Sequence, residues 1–334
     1  MRHYIYITYI MTTVMAAITG CGSPGNNKTA TFTPEKVHRL DSYAYRLGVM
    51  PDSTPETDME AITQGIAAID SMLAYTGNPQ ASFASYFKSP AVKIFTPDVE
   101  HVYPNLDKLE STLGHITAIA GIEFIEIPRR TYFSIISPYS QSIFLSDSVA
   151  LIALNHYLGA DYIGYAGRFE PYRLRDKTPE RLPYDIAEAI VASAYPYAPP
   201  TAQDATALSR MLYEGALLNA VMALVPDADT SEALSLTAEQ LKWLNDNEGR
   251  IWNALIGNDL LYSTSPVDAT RLVSPAPATA ILGQSVPPRA GRFVGLRIIR
   301  SYLSRHPGQS MSSMLQPDFY CSPQTLIDAG YAPF

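Results

Sequence analysis

The pattern of apolar and polar positions divides the chain into three stretches. In the first, Met59, Ile62, Ile66, Ile69 and Leu73 recur every three or four residues, predicting an amphipathic helix over Thr57–Tyr75. Pro34–Leu47, Ala81–Phe87 and Leu106–Ala120 also read as helices. Thr33 caps the first of these, Pro34 sits in its opening turn, Glu35 lies near the positive end of the dipole, and Gly48 ends it. In the middle stretch the period drops to two. Ile122, Phe124 and Ile127 set around Glu123 and Glu126 predict a strand. Tyr132–Ile136, Ser142–Leu145 and Val149–Leu154 predict three more, the last two split by the turn-like Ser146-Asp147-Ser148. The third stretch returns to helical spacing, over Thr178–Ala194, Ala202–Leu224, Thr237–Trp243, Glu248–Ile256 and Phe293–Leu303, with a short helix opened by Ser322-Pro323. Thr237 and Gln240 have the spacing of a capping box. Thr264–Pro288 reads as a long Pro/Ser/Ala loop, and no repeat is visible. Helices, a small sheet, then more helices is an α+β layout, mainly α-helical, packed as a single domain over residues 34–334.

The first 20 residues have a different pattern. A short basic end at Arg2 precedes an apolar run from Tyr4 to Ala17, which closes on Ile18-Thr19-Gly20-Cys21. This is the layout of a secretory signal, and a cysteine directly after the cut resembles a bacterial lipobox, with Cys21 as the lipidated first residue of the mature chain. Thr8, Thr12 and Thr13 interrupt the run, which is shorter than the ~20 apolar residues a membrane helix needs. Residues 21–33 form a polar Gly/Pro/Asn tether without an acidic cluster. The expectation is a cell-envelope protein held by lipid on the outer rather than the inner membrane, facing the periplasm.

Charge and cysteine content narrow the function. A net charge of −8 and the lack of any Lys/Arg run argue against a nucleic-acid partner. There are 2 cysteines; with Cys21 lipidated, Cys321 has no partner within the chain, so disulfides do not hold the fold.

Among the 6 histidines no H-x-x-x-H pair occurs, and H-E-x-x-H, G-x-S-x-G and a Gly-rich phosphate loop are all missing. His156, at the end of a β run, reads as a structural histidine. Two helical segments remain: Pro183–Val191, which carries Asp185 and Glu188, and Leu212–Ala216, which carries Glu214. One class of zinc peptidase puts H-E-x-x-H on a helix after a small sheet and a third ligand, a glutamate, on a later helix. Glu188 and Glu214 have that placement, but Ala187 and Val191 stand where the imidazoles should be. Without them nothing holds a zinc ion to activate water. The bland reading of both glutamates is a polar helix face or a hydrogen-bonded buried carboxylate.

Four stretches resemble the gliding-motility lipoproteins of GldB type from Bacteroidetes, over Tyr132–Phe334. They are Leu154-Asn155-His156-Tyr157-Leu158-Gly159 with Tyr162; Tyr184-Asp185-Ile186; Met211–Ala216 running on to Pro226; and Gln240-Leu241-Lys242-Trp243 with Asn247-Glu248, Ile251-Trp252 and Leu260–Thr264. Gly291-Arg292-Phe293-Val294-Gly295 and Ile298-Ile299 with Ser301-Tyr302 fit as well. Asn155 departs from the family's usual aspartate. The resemblance implies an envelope lipoprotein with a zincin-like (gluzincin-like) arrangement whose metal site is lost, and the family is named for a phenotype, not a chemistry.

Three readings follow. The first is a non-catalytic lipoprotein that binds an envelope protein or glycan in the cleft, with no cofactor. The second is a divalent-metal-dependent hydrolase in which Asp185, Glu188, Glu214 and His156 converge on a hard cation. The third is a mainly structural protein with no cleft near the two glutamates.

Overall fold

The computed structural model describes residues 32–49, 59–75, 82–124 and 126–333, so the signal segment, Cys21 and most of the tether lie outside the described residues. From Phe32 onward the described residues form one unit.

Its sheet has four strands, β1 (Val37–Arg39), β2 (Thr131–Ile135), β3 (Ile143–Leu145) and β4 (Val149–Ala153), in the order β1-β2-β4-β3. The β1–β2 and β2–β4 pairs are parallel, with Val37 opposite Tyr132 and Phe133 opposite Leu151; β3 runs antiparallel along the outer side of β4, with Phe144 opposite Leu151. All five residues of β4 are buried, as a central strand covered on both faces requires.

The helices before the sheet are α1 (Leu40–Val49), α2 (Met59–Tyr75), α3 (Phe83–Tyr86), α4 (Pro90–Val102) and α5 (Asp107–Glu123). After it come a 3-10 segment at Pro171–Lys177, then α6 (Leu182–Ala194), α7 (Ala207–Leu224), α8 (Thr230–Leu234), α9 (Ala238–Asp246) and α10 (Glu248–Gly257). The chain ends in α11 (Pro266–Val273), α12 (Ala290–Arg305), α13 (Met311–Met314), α14 (Pro317–Tyr320) and α15 (Pro323–Ala329). The Thr237 capping box forms as read: Thr237 Oγ1 accepts from Gln240 N at 3.1 Å, and Gln240 Oε1 accepts from Thr237 N at 2.9 Å.

Three local expectations fail, and one helix forms where none was expected. The helix from Pro34 begins only at Leu40, because Val37–Arg39 pairs with β2 instead. The strand at Ile122–Ile127 does not form: α5 runs on to Glu123, leaving Ile122 72% exposed while Phe124 is buried. A short apolar run of this kind is ambiguous between the two periods. The loop at Thr264–Pro288 contains α11, opened by Pro266 and capped by Ser265, whose Oγ accepts from Asp268 N at 3.3 Å. Pro97 in the middle of α4 hides a helix that the pattern does not predict.

The centre of the second half is α7, which is buried on nearly every face and packs on α12, α6, α11 and α5. Gly215 and Gly295 allow α7 and α12 to touch backbone to backbone. A Cβ on Gly295 would run into the Met211 carbonyl, and one on Gly215 would run into Gly295 itself. This close crossing sets the spacing of the charged side chains that α6, α7 and α12 direct at one another.

Candidate functional site

The site begins on α6, which packs against β3. Leu182, Ile186, Ala187, Ile190 and Val191 face the core, so Asp185 and Glu188, three apart and thus on one face, are turned to the other side. Arg181, at the N-terminus of this helix, is 3% exposed. Its Nε donates to Asp185 Oδ1 at 2.7 Å, its Nη1 to the Ala233 carbonyl at 2.9 Å, and its Nη2 lies 3.6 Å from Glu188 Oε2. Tyr157 donates its hydroxyl to the other oxygen of Asp185 at 2.9 Å.

On α7, Arg210 and Glu214 form an i,i+4 pair at 2.6 Å. The group that joins the two helices comes from α12. Arg292 Nη2 lies 3.0 Å from Glu188 Oε1, and Arg292 Nε lies 3.0 Å from Glu214 Oε2. The guanidinium and Glu214 are each 7% exposed at the side chain and Glu188 is 27% exposed. Burial alone would raise the Glu188 carboxyl, but Arg292 and then Arg181 outweigh it and hold it below the usual carboxylate range. For Arg292, burial opposes the charge, and Glu188 with Glu214 more than restores it. The result is a chain of alternating charge, Asp185–Arg181–Glu188–Arg292–Glu214–Arg210. Arg289, just before α12, sits in the left-handed region at φ 58° and is held there by Asp176 at 3.0 Å and the Leu234 carbonyl at 2.8 Å.

The facing wall comes from the turn before β3, the end of β4 and the 3-10 segment. His156 Nε2 lies 3.2 Å from the Ser137 carbonyl, which can only accept, so Nε2 carries the proton and Nδ1 is bare. Ser142 therefore donates its hydroxyl to Nδ1 at 2.9 Å and accepts from Lys177 Nζ at 3.2 Å. Burial, helped by the Lys177 charge, pushes the His156 imidazole down to about 3. Asn155 pairs with both backbone groups of Ser137, accepting from its N–H at 2.9 Å and donating to its carbonyl at 2.9 Å. A carboxylate could not make the second bond, so Asn155 is a structural clamp here.

Between these walls lies a cavity of about 310 Å³, lined by Asp185, Glu188, Arg292, Lys177, Arg173 and Ser142 with a few neighbours. The five cationic and three acidic side chains around it leave an excess of two positive charges, against −8 for the chain as a whole. Two larger hollows are poorer in charge: one of about 520 Å³ along α2 and β3 has no charged side chain in its lining, and one of about 590 Å³ beside the end of α11 has Arg271 alone; the clustered charge therefore belongs to the smaller cavity.

Of the four residues read from the sequence, Asp185 and Glu188 line this cavity, Glu214 stands behind Arg292, and His156 stands behind Ser142. They do not converge as a four-ligand set. Among the described residues no three His, Cys, Asp or Glu side chains come together as metal ligands. Sequence reasoning did not pick out Arg292, Arg181, Lys177 and Ser142. The available signal for Arg292 was a lone basic residue between two glycines four apart, in a helix apolar at most other core positions. The Ser142–His156 contact has the distance of a nucleophile and its base, but an imidazole this weakly basic is far from the pKa that suits proton abstraction near neutrality.

No curated protein and no solved structure gives a match to this chain. The family model described as gliding motility protein GldB matches residues 28–333. That is nearly the whole chain, so the relationship includes the N-terminal helices and β1 and is wider than the resemblance over Tyr132–Phe334. The designation of the family as lipoproteins fits a membrane-anchored envelope protein, and among the described residues no helix is long and apolar enough to cross a membrane. The chain belongs to the family of the gliding motility protein GldB.

Proposed function

We propose that this protein is a lipid-anchored envelope lipoprotein, tethered through Cys21, that works by binding an envelope protein or glycan in the α6–α12 cleft and not by catalysis. The observation that carries this reading is Arg292. Its guanidinium lies 3.0 Å from a carboxylate oxygen of both Glu188 and Glu214, the two glutamates that a metal site of this layout would use. A dication there would have to displace a buried cation already ion-paired with both carboxylates, and the two imidazole positions are the fully buried, apolar Ala187 and Val191. A helix packed under the antiparallel outer strand of a small sheet, followed by a helix bearing a glutamate, supports descent from a zincin-like arrangement. Outer-membrane anchoring on the periplasmic side belongs to the same proposal.

The test is the metal content of the purified body starting at Gly22 after exposure to zinc and to calcium, together with a peptidase screen. We expect neither metal in stoichiometric amount and no hydrolysis. Bound metal lost on Glu188→Gln, or hydrolysis that depends on Glu188, would overturn the reading in favour of a metal-dependent hydrolase.

A further inference from the structure

We infer that the cavity beside Arg292 binds an anionic sugar unit, with Lys177 and Arg173 taking its negative group. The inference rests on reading the cleft as a binding site. Lys177 is 3% exposed, yet its ammonium makes a single hydrogen bond, to Ser142 Oγ at 3.2 Å. Its other neighbours are the Phe169 ring at 4.6 Å and the Tyr157 ring at 5.6 Å. An ammonium has three N–H donors, and a buried one with donors to spare is costly unless something else meets them. The nearby Asp185 carboxylate accepts one bond on each oxygen, from Arg181 and from Tyr157, keeps a second lone pair on each, and does not come within ion-pair distance of Lys177. Arg173, on the same lining, is half-buried and, unlike Arg181, Arg289 and Arg292, has no acidic partner within ion-pair distance among the described residues. Two cations without an ion-paired acid therefore face one cavity, which carries an excess of positive charge in an acidic protein.

The rest of the lining says what the anion is attached to. It is made of serines, Gln141, carboxylates and the three arginines ion-paired with them, Arg181, Arg289 and Arg292, and Pro275 is its apolar member among the described residues. An acyl chain or an apolar peptide side chain would find almost nothing to bury against. A ring bearing hydroxyls would find acceptors in Asp185 and Glu188, each about a quarter exposed, and a space of about 310 Å³, at the small end of ligand sites. A sugar carrying a carboxylate or a phosphate meets both halves of this description, and the two anions are separated by experiment.

The full chain in detergent would be titrated by calorimetry with glucuronate, glucose 6-phosphate, glucose and inorganic phosphate. At least one acidic sugar should bind about tenfold more tightly than glucose, and which one binds identifies the anion. Lys177→Gln should weaken that binding by about tenfold or more. Because Lys177 is buried, Arg173→Gln, at a half-buried position, provides an independent variant with the same expected loss. Binding of neither acidic sugar, inorganic phosphate binding as tightly as glucose 6-phosphate, or acidic-sugar binding unchanged in both variants would overturn the assignment. A metal-loaded, hydrolytic protein would instead overturn the binding reading beneath it, whereas a metal-free protein that ignores acidic sugars would leave that reading standing.

Discussion

Taking away the Arg292 guanidinium would leave a buried Glu214 and a partly exposed Glu188 facing each other without a cation between them. Removing one partner of a buried charge cluster costs about 3–5 kcal/mol, because the stranded charge keeps its desolvation penalty and loses its counter-charge. Arg292→Met should therefore lower the unfolding free energy by about that amount in urea titrations. Adding Glu188→Gln and Glu214→Gln should recover most of the loss, since neutral amides remove the repulsion. Arg292→Met as stable as the parent would mean that the guanidinium is not the bridge described. At this scale the sequence was informative about what is missing: Ala187 and Val191 are visible as non-ligands. It was silent about what pairs with the two glutamates, because Arg292 lies far along the chain from both.

The α7–α12 crossing determines whether the helices can place those charges at 3.0 Å. A methyl at Gly295 would overlap the Met211 carbonyl, a backbone atom that cannot swing away. Gly295→Ala should cost about 3 kcal/mol, read as a fall in thermal midpoint. Gly121→Ala is the control: its Cβ meets nothing within 4 Å, and the helix gains from the better helix former, so the change should be neutral or stabilising by up to about 1 kcal/mol. Equal effects of the two substitutions would refute the close-approach argument. Elements whose cues lie within one or two turns were legible, such as the Thr237 capping box and the Leu212–Ala216 helix. Those settled by a distant partner were not: β1 is a strand because β2 is beside it, and its three residues carry too little pattern to outweigh the helix-start signals at Thr33 and Pro34.

For the molecule as a whole, the buried neutral His156 sets one arm of the stability–pH curve. Its pKa falls from 6.5 in the open chain to about 3 when folded, so between those values the unfolded chain binds more protons and acid favours unfolding. The full span amounts to about 5 kcal/mol, of which about 2 kcal/mol falls between pH 7 and 5. Glu188 and Asp176, both held below their ordinary values of 4.5 and 3.8 by neighbouring arginines that outweigh burial, contribute stability that is lost only at lower pH. His156→Asn should therefore flatten the profile from pH 7 to 5 and leave the steeper loss below it. A parent profile already flat over that range would show that the imidazole charges without cost.

The mainly helical α+β class, the middle position of the sheet and the absence of an imidazole pair one helical turn apart can all be read from the amino-acid order. These follow from local periods and residue types, which are short-range properties. The tertiary structure alone decided that Asp185 and Glu188 share a cavity, that Arg292 joins Glu188 to Glu214, and that His156 is a neutral prop behind Ser142. Each of those depends on how α6, α7, α12 and β3 approach one another. That approach is set by close packing, by the glycine contact between α7 and α12, and by charges that are stable in a dry interior only when they are paired.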